Sequence, residues 1–378
     1  MSRKIQVGIL MGGKSAEHQI SLLSAKSVVN ALYPDKYTIT LIGIHQTGEW
    51  FAYDSLEACL EHPDDPKHIC LKPSTNPVVL LPSEKGALLT SLSGQKTIRL
   101  DVIFPVLHGP NGEDGTMQGL LKLANIAFVG PSILGSAVAM DKDVMKRLFK
   151  QAGIPTAAFK VVHAHEHAAK PYTFEEIEKT LGLPFFIKPA NLGSSVGISK
   201  VKSKSEFKKN LDFAFQFDTK VIIEEQIVGR ELECSVLGNE SPEASLPGEV
   251  IPQHEFYSYE AKYLDPNGAL FEIPASLHGD EITRIQLLAI EAYKTLCCEG
   301  MARVDLFLEP GGRILLNEIN TIPGFTKISM YPKMWDASGL RYPDLIDRLI
   351  TLAIARFKRE QALKTNLELQ VDDMATSS

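Results

Sequence analysis

The sequence predicts an α/β protein: an N-terminal parallel-sheet domain followed by a two-lobed region of α+β type. Three observations carry that prediction. The chain has 378 residues, enough for two or three domains of ordinary size. Up to about residue 130, apolar β-prone runs alternate with helical patterns, which implies a parallel sheet with ligands at the carboxyl ends of its strands. Beyond that point short strands pair across glycine turns, the mark of antiparallel sheet. With 44% hydrophobic and 22% charged residues the composition is globular, which excludes collagenous, disordered and disulfide-framework chains.

The elements follow in order. Ile5 to Met11 reads as a strand, Gly12-Gly13 breaks it, and Ser15 is placed to cap a helix running toward Asn30. Tyr37 to His45 is a second strand, and residues 60–97, rich in turn formers, read as irregular. Ile98 to Leu107 reads as one buried strand, ending in the loop His108 to Gly115. Asp141 caps a helix through Ala152 that Gly153 and Pro155 stop. Phe185 to Pro189, Ile198 to Val201 and Val221 to Glu225 suggest a small antiparallel sheet. After Gly238 the chain reads as turn-rich through Asn267. A helix from Thr283 to Cys298, a hairpin and an amphipathic helix from Pro343 to Lys364 follow, the proline at its tolerated first position. The expected domains are 1–130, 131–235 and 236–364, with 365–378 a flexible tail.

The net charge is −7, from 39 basic and 46 acidic residues, which argues against nucleic acid as a partner. Five cysteines, odd in number and without a C-x-x-C pair, point to a reducing compartment. Nowhere do about 18 apolar residues run together, so no membrane span is expected. The expectation is a soluble, cytoplasmic protein.

Several motifs bear on chemistry. Gly8 to Ser15 satisfies the letters of a P-loop, but its first four residues lie inside the strand, so no phosphate-wrapping loop is left. The strongest signal is the hairpin Ala302 to Leu308 and Arg313 to Asn320, turning at Gly311-Gly312. Arg303 and Asp305 share one face, as do Glu318 and Asn320. Folding about the glycines sets Asp305 opposite Glu318 and Arg303 opposite Asn320, which gathers oxygens suited to Mg²⁺. The rival reading is a solvated face of ion pairs. Lys188 ends a strand before the loop Gly193-Ser194-Ser195-Val196-Gly197, whose amides can cover a phosphate, though such loops are also plain turns. Lys142 opposes a helix dipole, a placement that a bound phosphate would explain. Glu224, Glu225 and Glu231 read either as contacts to a nucleotide's amine or ribose or as a solvated edge. His163, His165 and His167 alternate as a metal site on a strand would, but the turn-like setting favours an exposed connection.

Together these pieces resemble the ATP-grasp D-alanine–D-alanine ligases. The resemblance rests on Gly12-Gly13-Lys14-Ser15-Ala16-Glu17, His108-Gly109 with Glu113 to Thr116, Met140-Asp141-Lys142, and Lys188-Pro189 with the Gly193 to Gly197 loop. Glu260-Ala261-Lys262-Tyr263, Arg303-Val304-Asp305 and Asn317 to Thr326 complete it in the family's order, over roughly residues 5 to 355. It implies a pre-ATP-grasp domain before an ATP-grasp fold. It also implies a homodimer that joins D-alanine to D-alanine through an acyl phosphate, with ATP and a pair of Mg²⁺ ions (or Mn²⁺).

The family's roles map onto this chain residue by residue. Lys142, Lys188, Ser194, Ser195, Glu224, Glu225, Ile227, Glu231, Phe307 and Asn317 would hold ATP. Asp305, Glu318 and Asn320 would hold Mg²⁺. Glu17, with His108 nearby, would bind the first D-alanine, while Ser194, Lys262 and Tyr263 lie on closing loops. Arg303 and the backbone amide of Gly324 would form the oxyanion hole, and Ser329 would hold the second substrate's carboxylate. Tyrosine at 263, where D-lactate-accepting relatives use histidine, favours an amine as second nucleophile.

Overall fold

The computed structural model describes residues 3–83, 86–94, 96–253 and 269–364. Its first sheet runs Ala127–Phe128, Val102–Val106, Ile5–Gly12, Tyr37–Ile44, Trp50–Tyr53. The first four strands are parallel and the last is an antiparallel edge. From Val7 to Met11 the central strand is an unbroken, fully buried run without a polar side chain, because both its faces are covered. Helix His18–Ala31 and the C-terminal helix Tyr342–Gln361 pack on one face. There Leu22, Val28, Leu345, Ile346, Leu349 and Ile350 share a core with Val7 and Ile9.

The second face carries the main departure from expectation. Residues 60–97 are not irregular: Val78–Ser83, Gly86–Ser91 and Thr97–Leu100 form a three-stranded antiparallel sheet. Ala87 and Leu89 alternate inward and bury against Leu10, Ile42 and Ile103, so a small sheet covers this face. Pro82 is tolerated because its strand is an edge. The expected single strand from Ile98 to Leu107 is two strands, split at Asp101. Its carboxylate accepts from the Gln6 amide at 2.8 Å and from Arg3 at 2.7 Å, which turns the chain from one sheet into the other.

Helix His18–Ala31 also begins later than expected, with Glu17 as its N-cap. Ser15 does not cap it. Its hydroxyl instead donates to the His108 carbonyl at 2.8 Å and accepts from the Glu17 amide at 3.0 Å, tying two loops together. Gly8 to Met11 are strand residues, so the P-loop lettering has no loop behind it.

The second sheet is antiparallel, in the order Phe159–His163, Lys220–Glu225, Phe185–Pro189, Ser199–Val201. The third, also antiparallel, runs Ala269–Glu272, Gly248–Pro252, Arg230–Gly238, Gly300–Leu308, Ile314–Asn320. The stretch after Gly238 is thus partly strand, since Glu243–Ala244 and Gly248–Pro252 pair with Arg230–Gly238. The hairpin register is the expected one: Asp305 faces Glu318 and Arg303 faces Asn320, with an irregularity after Asp305. Asp141 caps helix Lys142–Gln151, accepting from the Asp143 and Val144 amides. His163 ends a strand while His165 and His167 lie in the short helix Ala164–Ala169, so the three share no strand face. Among the described residues no three His, Cys, Asp or Glu side chains gather as a metal site, and no helix is long and apolar enough to cross a membrane.

Candidate active site

The carboxyl ends of the central strands open into a cleft with two adjoining cavities. The larger, of about 300 Å³, lies between the first sheet's loops and the hairpin; the smaller, of about 180 Å³, lies between the second and third sheets. Lys142, Ser194 and Glu318 line both, so the two are neighbouring rooms of one site.

Sharp backbone geometry brings the first loops to the larger cavity. Gly12 and Gly13 turn the chain at φ +91° and +95°, and a Cβ on Gly12 would sit 2.4 Å from the Ile44 carbonyl. Gly109, at φ +77°, lets its loop approach Glu17 so closely that a Cβ would lie 2.7 Å from Oε2. The Ser194 hydroxyl donates to Glu17 Oε1 across 177 residues of sequence, which brings the Gly/Ser loop onto the N-terminal domain. Ser194 and Ser195 both sit in the left-handed region, at φ +51° and +59°.

His108 is buried beneath this contact. Its Nδ1 lies 2.8 Å from the Ile322 carbonyl, which can only accept, so Nδ1 carries the proton. Nε2 then accepts from the Ser24 hydroxyl at 3.1 Å. Burial holds its pKa below the usual histidine value, against the pull of Glu17 and the Ile322 carbonyl. Glu113, only 8% exposed, accepts from the Gly109 amide at 2.8 Å. Burial, and then the nearby charge of Glu17, push its carboxyl up to about 8.

The hairpin supplies the opposite wall. Arg303 donates from Nε and a terminal nitrogen to the two Asp305 oxygens at 2.7 Å each, and its Nε stands 3.1 Å from Glu233. Burial disfavours the guanidinium charge, but Asp305 and Glu233 more than offset this and keep it protonated. Glu233, Asp305 and Glu318 occupy facing positions on three adjacent strands. Asn320 Oδ1 is buried and accepts no hydrogen bond among the described residues. Gly324 lines the cavity, where a Cβ would press on Ser329 Oγ at 3.0 Å. That hydroxyl oxygen accepts from the Thr326 amide at 3.1 Å.

The smaller cavity is lined by lysines. Lys142 donates to the Leu192 carbonyl at 2.7 Å and lies 3.3 Å from Glu318. Lys188 donates to Glu224 at 2.5 Å. Burial alone would raise the Glu224 pKa, yet Lys146 and Lys188 bring it down to about 2. Ser195, Glu225, Ile227, Glu231, Phe307 and Asn317 line the same space. Glu225 Oε1 accepts from the Ala158 amide at 2.7 Å. Lys262 and Tyr263 lie outside the described residues.

Three residues in and around the cleft were missed in the sequence. Lys146 stands four residues after Lys142, on the same helix face, a spacing that was legible. Glu233 sits two after Glu231 on a strand whose alternate residues Leu232, Cys234 and Val236 are buried, so its direction was legible too. Nothing in the loop marked Glu113 as turned inward.

The fold is of ATP-grasp type, and its cleft sets a cation-lined cavity against a carboxylate-lined one. Residues 6–131 match the family described as D-ala D-ala ligase N-terminus, and residues 148–351 match D-ala D-ala ligase C-terminus. The chain is 51% identical over 365 residues to a D-alanine–D-alanine ligase of Oceanobacillus iheyensis, covering 96% of this chain and 99% of that one. It is 49% identical to D-alanine–D-alanine ligase A of Escherichia coli K12, covering 96% and 100%. Among solved structures, the D-alanine–D-alanine ligase from Coxiella burnetii superposes with a TM-score of 0.81 at 39% identity, covering 95% and 97%. The VanG D-Ala:D-Ser ligase from Enterococcus faecalis superposes at 0.80 with 38% identity, covering 93% and 100%. The chain belongs to the D-alanine–D-alanine ligase family.

Proposed function

We propose that this chain joins two D-alanines into D-alanyl-D-alanine at the expense of ATP, for peptidoglycan precursor synthesis. The observation that carries the reading is the shared wall of the two cavities, where Lys142, Ser194 and Glu318 face both. A carboxylate in the larger cavity can thus meet a phosphate in the smaller.

The first D-alanine binds with its ammonium toward Glu17, beside neutral His108. Its carboxylate attacks the γ-phosphate, forming a C–O–P bond while ADP leaves. Phosphoryl transfer needs positioning and charge neutralisation more than covalent help, and Lys142 and Lys188 supply positive charge. Mg²⁺ fits the residues present: Asp305, Glu318 and Asn320 offer hard oxygens at facing register positions, and the buried Asn320 Oδ1 is an acceptor in want of a partner. When bound, a pair of Mg²⁺ ions (or Mn²⁺) supplies further neutralisation of the phosphate oxygens. The second D-alanine, its carboxylate at Ser329, attacks the acyl carbon with a neutral amine. Arg303 and the Gly324 amide stabilise the tetrahedral oxyanion, phosphate leaves, and the peptide bond forms. An acyl phosphate hydrolyses in water, so closure of the Ser194 loop over the site protects it.

The family resemblance supports a homodimer in the cytoplasm, and light scattering of the purified protein checks the dimer. The first experiment is incubation with ATP, Mg²⁺ and D-alanine, following phosphate release and product mass. D-alanine-dependent phosphate with a dipeptide product is expected, and L-alanine should give none. Parallel reactions of D-alanine with D-serine or D-lactate test the acceptor. A mixed product in preference to the D-alanine dimer would overturn the substrate choice, and phosphate release indifferent to D-alanine would overturn the ligase reading.

A further inference from the structure

Lys146 has a setting that the reaction sequence above leaves unexplained. It is 1% exposed, does not line either cavity, and forms an ion pair with Glu224 Oε1 from beneath. Glu224 Oε2 meanwhile receives Lys188 at 2.5 Å. Helix Lys142–Gln151 places Lys142 and Lys146 one turn apart on its inward face, so one ammonium reaches the cleft floor while the other reaches behind it. The Phe159 ring, with its centroid 5.7 Å from Lys146 Nζ, closes the other side.

The two lysines are not equivalent partners. Lys188 faces the cleft, and under the proposed function its charge is drawn to the phosphates once the nucleotide binds. Glu224 would then be a carboxylate 3% exposed that has lost one cation, and burial favours its protonation. Lys146 lines neither cavity, so its pair with Oε1 stays.

We propose that Lys146 is a positioning residue for nucleotide choice: it keeps Glu224 ionised and oriented in the smaller cavity, so that the pocket accepts a base presenting an amine and rejects one presenting a carbonyl. An ionised carboxylate only accepts hydrogen bonds, whereas a protonated one also donates. The amine of adenine satisfies the former, and the carbonyl at the same place on guanine meets it lone pair to lone pair. This inference rests on reading the smaller cavity as the nucleotide site.

The test measures ATP and GTP binding by competition with a fluorescent nucleotide, alongside KM values in the ligase assay. Wild type, Lys146→Met, Lys146→Gln and Lys146→Arg are compared, each checked for folding by circular dichroism. The neutral variants should lose about tenfold or more of the ATP-over-GTP preference, and their KM for ATP should rise while that for D-alanine stays within about twofold. Arginine, which retains the cation, should recover the preference. If methionine prevents folding, glutamine carries the neutral arm. A folded neutral variant that keeps the wild-type preference overturns the proposal, as does a wild type without one. If the wild type ligates and the ratio is unmoved, this inference fails alone. If the wild type prefers ATP yet shows no D-alanine-dependent phosphate, the ligase reading fails while the ratio still decides this inference.

Discussion

In the larger cavity Glu113 is buried against the charge of Glu17, and its carboxyl is pushed up to about 8; in the smaller, Glu224 is buried still more deeply between Lys146 and Lys188 and is held down to about 2. Burial acts upward on both, so the difference comes from the neighbours. One cavity spends its backbone amides on carboxylates that crowd one another, around a site read as receiving an ammonium. The other surrounds a single carboxylate with ammoniums, beside a site read as receiving phosphates. The lesson is that a ligand's charge can be read from what each cavity leaves uncompensated, not from how polar it is.

The largest effect that would break this contrast is on stability. Glu224→Gln leaves two ammoniums facing a neutral amide, and removing one partner of a buried ion pair costs about 3–5 kcal/mol. Urea unfolding at neutral pH should register that loss, and a cost under about 1 kcal/mol would mean that the lysines relax into water. Next is Arg303→Met. The guanidinium faces Asp305 and Glu233 from the hairpin, and loss of one oxyanion donor typically lowers kcat by about 10²–10³. Nucleotide binding should survive. If ATP affinity falls together with kcat, Arg303 holds the carboxylate row in place and does not act on the reacting carbon.

The third prediction separates the two carboxyls by pH. Glu113 has its folded pKa above the ordinary carboxyl value, so the stability it contributes is full below about pH 4.5 and is lost as pH rises through about 8. Glu224 has the opposite sign: its contribution is full above about pH 4.5 and is lost as pH falls toward about 2. Glu113→Gln should therefore flatten the decline of unfolding free energy between about pH 5 and pH 8 while leaving the acid limb intact. An unchanged slope would show that Glu113 does not carry the proton.

How much of this was legible in the chain depends on the distance over which each feature is fixed. The hairpin register followed from local rules, since alternation and a Gly-Gly turn determine which side chains face each other, and Asp305 meets Glu318 as expected. The capped helix at Asp141 was local too. The sheet formed by Val78–Ser83, Gly86–Ser91 and Thr97–Leu100 was not, because its strands are short, one contains a proline, and their inward residues acquire meaning only against Leu10 and Ile42. Ser15 was misread for a similar reason: a hydroxyl before a helix pattern is ordinarily a cap, but here the His108 carbonyl, 93 residues away, is its acceptor. Spacing puts Lys146 on the same helix face as Lys142, but its partner Glu224, like the Glu17 that sets the character of Glu113, lies on another element and is supplied only by tertiary structure.

The smallest effect concerns the contact that joins the cavities, Ser194 with Glu17. Two terms oppose each other there. The hydroxyl donates to a carboxylate, a bond whose loss costs about 1 kcal/mol or somewhat more. The residue also holds φ at +51°, a conformation that costs a side chain roughly 1–2 kcal/mol and glycine little. Ser194→Ala forfeits the bond and keeps the backbone cost, whereas Ser194→Gly forfeits the bond but is relieved of it. If the loop's closed arrangement governs how D-alanine is held, KM for D-alanine should rise about fivefold in the alanine variant and less in the glycine variant. Equal rises would mean that the hydrogen bond alone holds the loop over Glu17. A larger rise in glycine would mean that the added freedom of the open loop outweighs the strain relieved on closing.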